Sequence, residues 1–143
     1  MRVDPQDSAA LDRRVRRVAA AAALLGFAGV AAGAFGSHAL KGVLAPDRLA
    51  VFDTAVRYHQ IHALALLGSA WVLKNWPGRT AAAAAWSLLA GTLLFSGSLY
   101  ALVLLDQPRL GLVTPLGGVC LMAGWILLAW SVTKPNISPG PVR

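Results

Sequence analysis

Apolar residues run along this chain in four long blocks, separated by short polar stretches. The first block is Val18 to Phe35, continuing to about Leu40, and the second is about Tyr58 to Leu73. The third is about Ala81 to Leu105 and the fourth about Pro115 to Val132. A helix needs about 20 mostly apolar residues to cross the hydrocarbon core. Each block is therefore expected to be a transmembrane helix, since backbone polar groups in lipid must pair within their own segment. The second block is shorter than the others, bounded by Arg57 and Lys74. Residues 11–38 also have the layout of a signal peptide, with Arg13, Arg14, Arg16 and Arg17 before an apolar stretch. Three further blocks need a membrane, so the stretch is read as the first span.

Between the first two blocks, Leu49, Phe52 and Val56 recur at helical spacing. Asp53 and Arg57 stand four apart and are expected to pair on the opposite side. This predicts a short amphipathic helix that runs straight into span two. The ends read as tails, residues 1–10 being polar with Pro5 and residues 133–143 holding three prolines and a glycine. The expected fold is all-α: a four-transmembrane-helix bundle with a short amphipathic helix between helices 1 and 2. It divides into a basic N-terminal tail, 1–17, a membrane domain, 18–132, and a C-terminal tail, 133–143.

Composition strengthens the membrane reading. The chain has 143 residues, 57% hydrophobic and only 13% charged, against about a quarter charged in a soluble domain. Mean hydropathy is +0.60. A core of this size could not hide so much apolar surface from water. The net charge of +7 lies between apolar blocks and not along one face, which argues against nucleic acid. It fits topology and contact with anionic lipid.

With the N-terminus inside, Arg2, Arg13, Arg14, Arg16, Arg17, Lys74, Arg79, Lys134 and Arg143 are cytoplasmic, against Lys41, Arg48, Arg57 and Arg109 outside. Both termini are therefore expected in the cytoplasm. Trp71, Trp76, Trp86, Trp125 and Trp130 then fall in the cytoplasmic halves of their spans, and Tyr58 and Tyr100 in the outer halves.

Gly26, Gly29, Gly33 and Gly36 share one face of span one. Small residues let helices approach closely in lipid, here within the chain or against another subunit. Gly117 and Gly124 are expected to serve similarly on span four. Thr114 and Pro115 form a helix start. Cys120 lies alone in an apolar run and reads as a small buried residue.

Three histidines gather towards the outer end. His59 and His62 form H-x-x-H on one side of a helix, and His38 ends span one. They are weak candidates for a metal or haem site, with Asp53 the only carboxylate nearby and no cysteine. The plainer reading places Tyr58 and His59 at the interface and His62 about one turn deeper, hydrogen-bonded to a neighbouring helix. No metal or cofactor is expected.

Four segments carry a resemblance. They are Gly33-Ala34-Phe35-Gly36-Ser37-His38-Ala39-Leu40, Thr54 through Leu67 with its Arg57-Tyr58-His59-Gln60-Ile61-His62 core, Phe95-Ser96-Gly97-Ser98-Leu99-Tyr100, and Thr114-Pro115-Leu116-Gly117-Gly118 followed by Gly124-Trp125. In that order they resemble the DUF423 family of small bacterial membrane proteins, which is similar to eukaryotic transmembrane protein 256. The resemblance covers about residues 18–132. It implies a four-helix protein of the bacterial inner membrane and no established activity. It also implies His or Gln at position 59, with His38 and His62 typical, which weakens a three-histidine metal site.

Under this topology His38, Asp53, Arg57, Tyr58, His62, Ser96, Ser98, Tyr100 and Thr114 converge near the outer leaflet. The expected function is non-catalytic: an accessory, assembly or scaffolding module that binds a larger membrane complex, lipid, or itself as an oligomer. The alternatives are an oligomeric transporter or channel lined by Ser96, Ser98, His62 and Thr54, and a histidine-based redox protein. No nucleophile elbow or paired carboxylates are visible, and no Asp or Glu lies inside a span.

Overall fold

A computed structural model describes residues 5–133. Four helices follow one another: α1 (Pro5–Phe35), α2 (Pro46–Asn75), α3 (Arg79–Leu104) and α4 (Thr114–Thr133). A π turn, Gly36–Leu40, ends α1, and a 3-10 turn, Pro108–Leu112, leads into α4. Consecutive helices pack antiparallel, and α4 lies chiefly against α3.

The amphipathic segment and span two are one 30-residue helix. Pro46 supplies a preorganised φ in its first turn, and Asp47 stands where the helix dipole favours negative charge. α1 starts well inside the expected N-terminal tail, because residues 8–17 are helix formers with only the prolyl position at the start. Residues 1–4 and 134–143, which include most of the expected C-terminal tail, lie outside the described residues.

Three stretches are long and apolar enough to cross a membrane: Gln6–Leu40, Arg79–Leu104 and Pro108–Thr133. The second expected span falls short of that measure. Its polar residues turn inward, with His59, His62 and Ser69 buried beside Phe52, Ala55 and Leu66. α2 is thus an inner helix of the bundle, as is α3, which packs on both α2 and α4. α1 and α4 are the outer ones, exposing Leu24, Phe27 and Val30 on one and Leu116, Ile126 and Trp130 on the other. Such large apolar side chains are at ease in lipid.

Glycines set the helix spacing. A Cβ on Gly29 would lie 3.0 Å from Gln60 Cγ, on Gly33 3.4 Å from Val56, and on Gly36 2.9 Å from the Phe52 ring. The stripe therefore seats α2 of the same chain. Gly26 departs from the expectation, since nothing lies within 4 Å of the position its Cβ would take. On the other side, α3 and α4 interlock: Gly117 receives the backbone at Phe95, Gly91 receives Leu121, and Gly124 receives Leu88. The last two Cβ positions would fall 2.7 Å and 2.8 Å from leucine side-chain atoms. Gly91 completes a pattern of which the sequence showed only Gly117 and Gly124.

Candidate functional site

The polar residues of the motifs sit where α2, α3 and α4 meet. His62 Nδ1 lies 2.7 Å from the Tyr58 carbonyl. A carbonyl oxygen only accepts, so the ring carries its proton on Nδ1. Nε2 is then an acceptor, and the Trp125 indole N–H donates to it at 3.3 Å from α4. Both ring nitrogens are engaged and the imidazole is neutral in this arrangement. Tyr58 stacks on His62 with ring centroids 5.8 Å apart and on Phe95 of α3 at 4.5 Å.

One turn towards the α2 start, His59 Nδ1 lies 3.2 Å from the Tyr100 hydroxyl of α3. Tyr100 also packs on Phe52, which packs on Phe35, so an aromatic chain ties the end of α1 to α2 and α3. Gln60 donates to the Gly29 carbonyl of α1 at 3.1 Å. Ser98 and Thr114 share a 2.8 Å hydroxyl–hydroxyl bond between α3 and α4. Thr114 thus spends its side chain on a neighbouring helix. Nearly every pair joins two helices, and polar bonds of this kind act as glue in an apolar solvent.

One buried atom stands outside these pairs. Among the described residues, Ser96 Oγ has no hydrogen-bond partner. The other edge of the His59 ring turns towards α1, against Gly29 and the Leu25 backbone.

At the end of the bundle where α3 stops, Arg48 donates to Asp106 at 2.5 Å and to the carbonyls of Leu102 and Val103 at 3.1 and 2.8 Å. A guanidinium there suits the negative end of the α3 dipole and satisfies carbonyls that the helix leaves free. Asp106 holds a left-handed backbone, φ 52°, in the turn that follows. At the opposite end, Lys74 pairs with Asp12 at 2.6 Å. That contact holds the Asp12 carboxyl below its ordinary range, through the hydrogen bond first and the charge second.

The expected cluster is thus only partly assembled. Tyr58, His62, Tyr100, Ser98 and Thr114 join the interhelical network, while Ser96 is buried beside it. His38, Asp53 and Arg57 are exposed, and Asp53 and Arg57 form no ion pair among the described residues. No three His, Cys, Asp or Glu side chains gather to hold a metal ion among the described residues. Trp125 lies in the second half of α4 and turns its indole onto His62.

The sequence missed His59–Tyr100, Gln60–Gly29 and Arg48–Asp106. A cation in the first turn of its own helix, where the dipole disfavours it, was the available signal for Arg48.

Comparison with known proteins agrees with this architecture. The family model "Protein of unknown function (DUF423)" matches residues 32–118. The chain belongs to the DUF423 family. It is 41% identical to the UPF0382 membrane protein YwdK of Bacillus subtilis (strain 168), over 73% of this chain and 86% of that one. It is 41% identical to the UPF0382 inner membrane protein YgdD of Escherichia coli (strain K12), over 75% and 82%. The UPF0382 membrane protein SAB0533 of Staphylococcus aureus (strain bovine RF122 / ET3-1) is also 41% identical, over 73% and 85%. No solved structure matches the chain. The matched family segment contains three of the four motif segments whole and the Thr114–Gly118 start of the fourth; the pairs His59–Tyr100, Ser98–Thr114 and Arg48–Asp106 all lie within it. This is an all-helical membrane protein of that family.

Proposed function

We propose that the chain is a non-catalytic membrane module, serving the assembly or scaffolding of a larger membrane complex. One observation carries this reading: polar side chains from three of the four motif segments are engaged in bonds between helices. His62 meets Trp125, His59 meets Tyr100, and Ser98 meets Thr114. A group already paired on both sides offers little to a substrate, and such a network makes the four helices one rigid body. Purification of a tagged chain in mild detergent tests the reading. A stable partner or defined oligomer supports it, and a chain that always runs alone refutes it.

The topology belongs to the same proposal: both termini face the cytoplasm of the bacterial inner membrane. The nine-to-four distribution of Lys and Arg supports it. Reporter fusions at each end test it, and an external C-terminus would refute it.

A second reading, a transporter of a small solute or ion acting as an oligomer, has one observation in its favour. Ser96 Oγ of α3 is buried without a hydrogen-bond partner among the described residues. Polar groups at membrane depth are rare unless they serve a path or a partner. Flux into proteoliposomes, with His59→Ala and His62→Ala as controls, separates the two. Flux no greater than that of protein-free liposomes removes the second reading.

A further inference from the structure

α1 is far longer than a bilayer requires. Its 31 residues extend about 46 Å, against about 30 Å of hydrocarbon. The apolar part begins at Val18, so the turns carrying Arg13, Arg14, Arg16 and Arg17 stand at headgroup level whichever way the chain is oriented. There α1 and α3 diverge. They leave a cleft of ≈ 410 Å³, floored by Leu66 of α2 and walled by Val18, Ala21 and Leu89. Arg14 and Arg17 line its polar end, and no acidic side chain lines it.

The cleft differs from a more open groove between α1 and α2 beside Gly26, whose lining carries no charge. Arg14 and Arg17 are three apart and so lie on one face of α1. Both are exposed, and neither enters an ion pair among the described residues. Asp12, the acidic residue nearest in sequence, is taken by Lys74. Trp86, also at the cleft, is well exposed, as suits an amphipathic ring at a membrane interface.

We propose that this cleft binds one anionic phospholipid, with its phosphate between Arg14 and Arg17 and the upper part of an acyl chain against Val18, Ala21 and Leu89. Two unpaired guanidiniums at headgroup level complement a phosphate with fork geometry, and the apolar walls complement the chain. The volume falls in the range of about 300–1,000 Å³ usual for ligand sites. The inference goes beyond the scaffolding reading and does not depend on it.

Native mass spectrometry of the full chain in neutral detergent tests it, with phosphatidylglycerol and phosphatidylcholine of the same acyl chains. One phosphatidylglycerol should be retained about 30-fold more strongly than phosphatidylcholine. The Arg14→Gln/Arg17→Gln variant should lose that preference. The Arg13→Gln/Arg16→Gln variant, equal in charge but changed on another face of α1, should keep most of it. Equal retention of the two lipids, or equal loss in the two variants, overturns the proposal. So does displacement of the lipid by soluble glycerol phosphate, which would mean that the site reads the phosphate alone.

Discussion

Trp125 of α4 donates its indole N–H to Nε2 of His62 on α2, and His62 in turn donates from Nδ1 to the carbonyl of Tyr58 one turn back. α2 and α4 touch little elsewhere, so this relay is their principal polar link. Trp125→Phe removes the donor and keeps most of the ring. It should lower stability by about 0.5–1.5 kcal/mol, the range of interhelical hydrogen bonds in membranes. His62→Ala removes the stacked ring as well and should be the more damaging. Reversible unfolding in mixed micelles measures both.

The glycines make opposite predictions at different positions. Gly117→Ala would drive a methyl into the Phe95 backbone, and Gly91→Ala would drive one into Leu121, including its backbone nitrogen at 2.8 Å. Backbone atoms cannot rotate away, so each change should destabilise by about 1–3 kcal/mol or more. Gly26→Ala meets nothing within 4 Å and removes a helix-weakening glycine. It should be neutral or stabilising by up to about 1 kcal/mol. Thermal unfolding of the three variants in one detergent compares them.

Arg48 closes the C-terminal end of α3. Arg48→Ala leaves the Leu102 and Val103 carbonyls without their guanidinium and should destabilise by about 1–3 kcal/mol. Arg48→Lys should recover only part, because an ammonium lacks the planar fork. Asp106→Asn should matter less, below about 1 kcal/mol, since the Asp106 side chain is 81% exposed and asparagine tolerates its backbone. Amide exchange at residues 102–106 should quicken in Arg48→Ala and change little in Asp106→Asn.

The opposite end is sensitive to acid. Lys74 lowers the Asp12 pKa below its unfolded value. A depressed carboxyl contributes stability above its unfolded pKa and loses it as pH falls through the folded one. The loss therefore falls below about pH 4. Both side chains are about half exposed, so salt should weaken the effect. Asp12→Asn should remove that part of the acid dependence, read as thermal midpoints between pH 6 and pH 2.5. Unchanged acid dependence would remove Asp12 from its cause.

The helices were legible because apolar length in lipid leaves the backbone no alternative. The exception is instructive. α2 carries His59, His62 and Ser69 in its buried face, so hydropathy understates its place at the centre of the bundle. Helical spacing placed Gly29, Gly33 and Gly36 together, but nothing local distinguishes them from Gly26, which opens onto a groove beside Gln60 and Ala63 and meets no α2 side chain within 4 Å. The polar cluster was legible as a set of residues near one end and not as a set of bonds. Trp125 was placed only in one half of its span, because its partner lies 63 positions away in sequence. Asp53 and Arg57 were paired by spacing alone, and an exposed pair of that kind gains too little to be held together.

The central claim is that the motif residues fasten the helices to one another. A double-mutant cycle over His62→Ala and Trp125→Phe, read by reversible unfolding in mixed micelles, tests it most directly. The account predicts a coupling of about 0.5–1.5 kcal/mol, the double variant being less damaged than the two single effects added together. Strict additivity, with His62→Ala leaving the effect of Trp125→Phe unchanged, would contradict it.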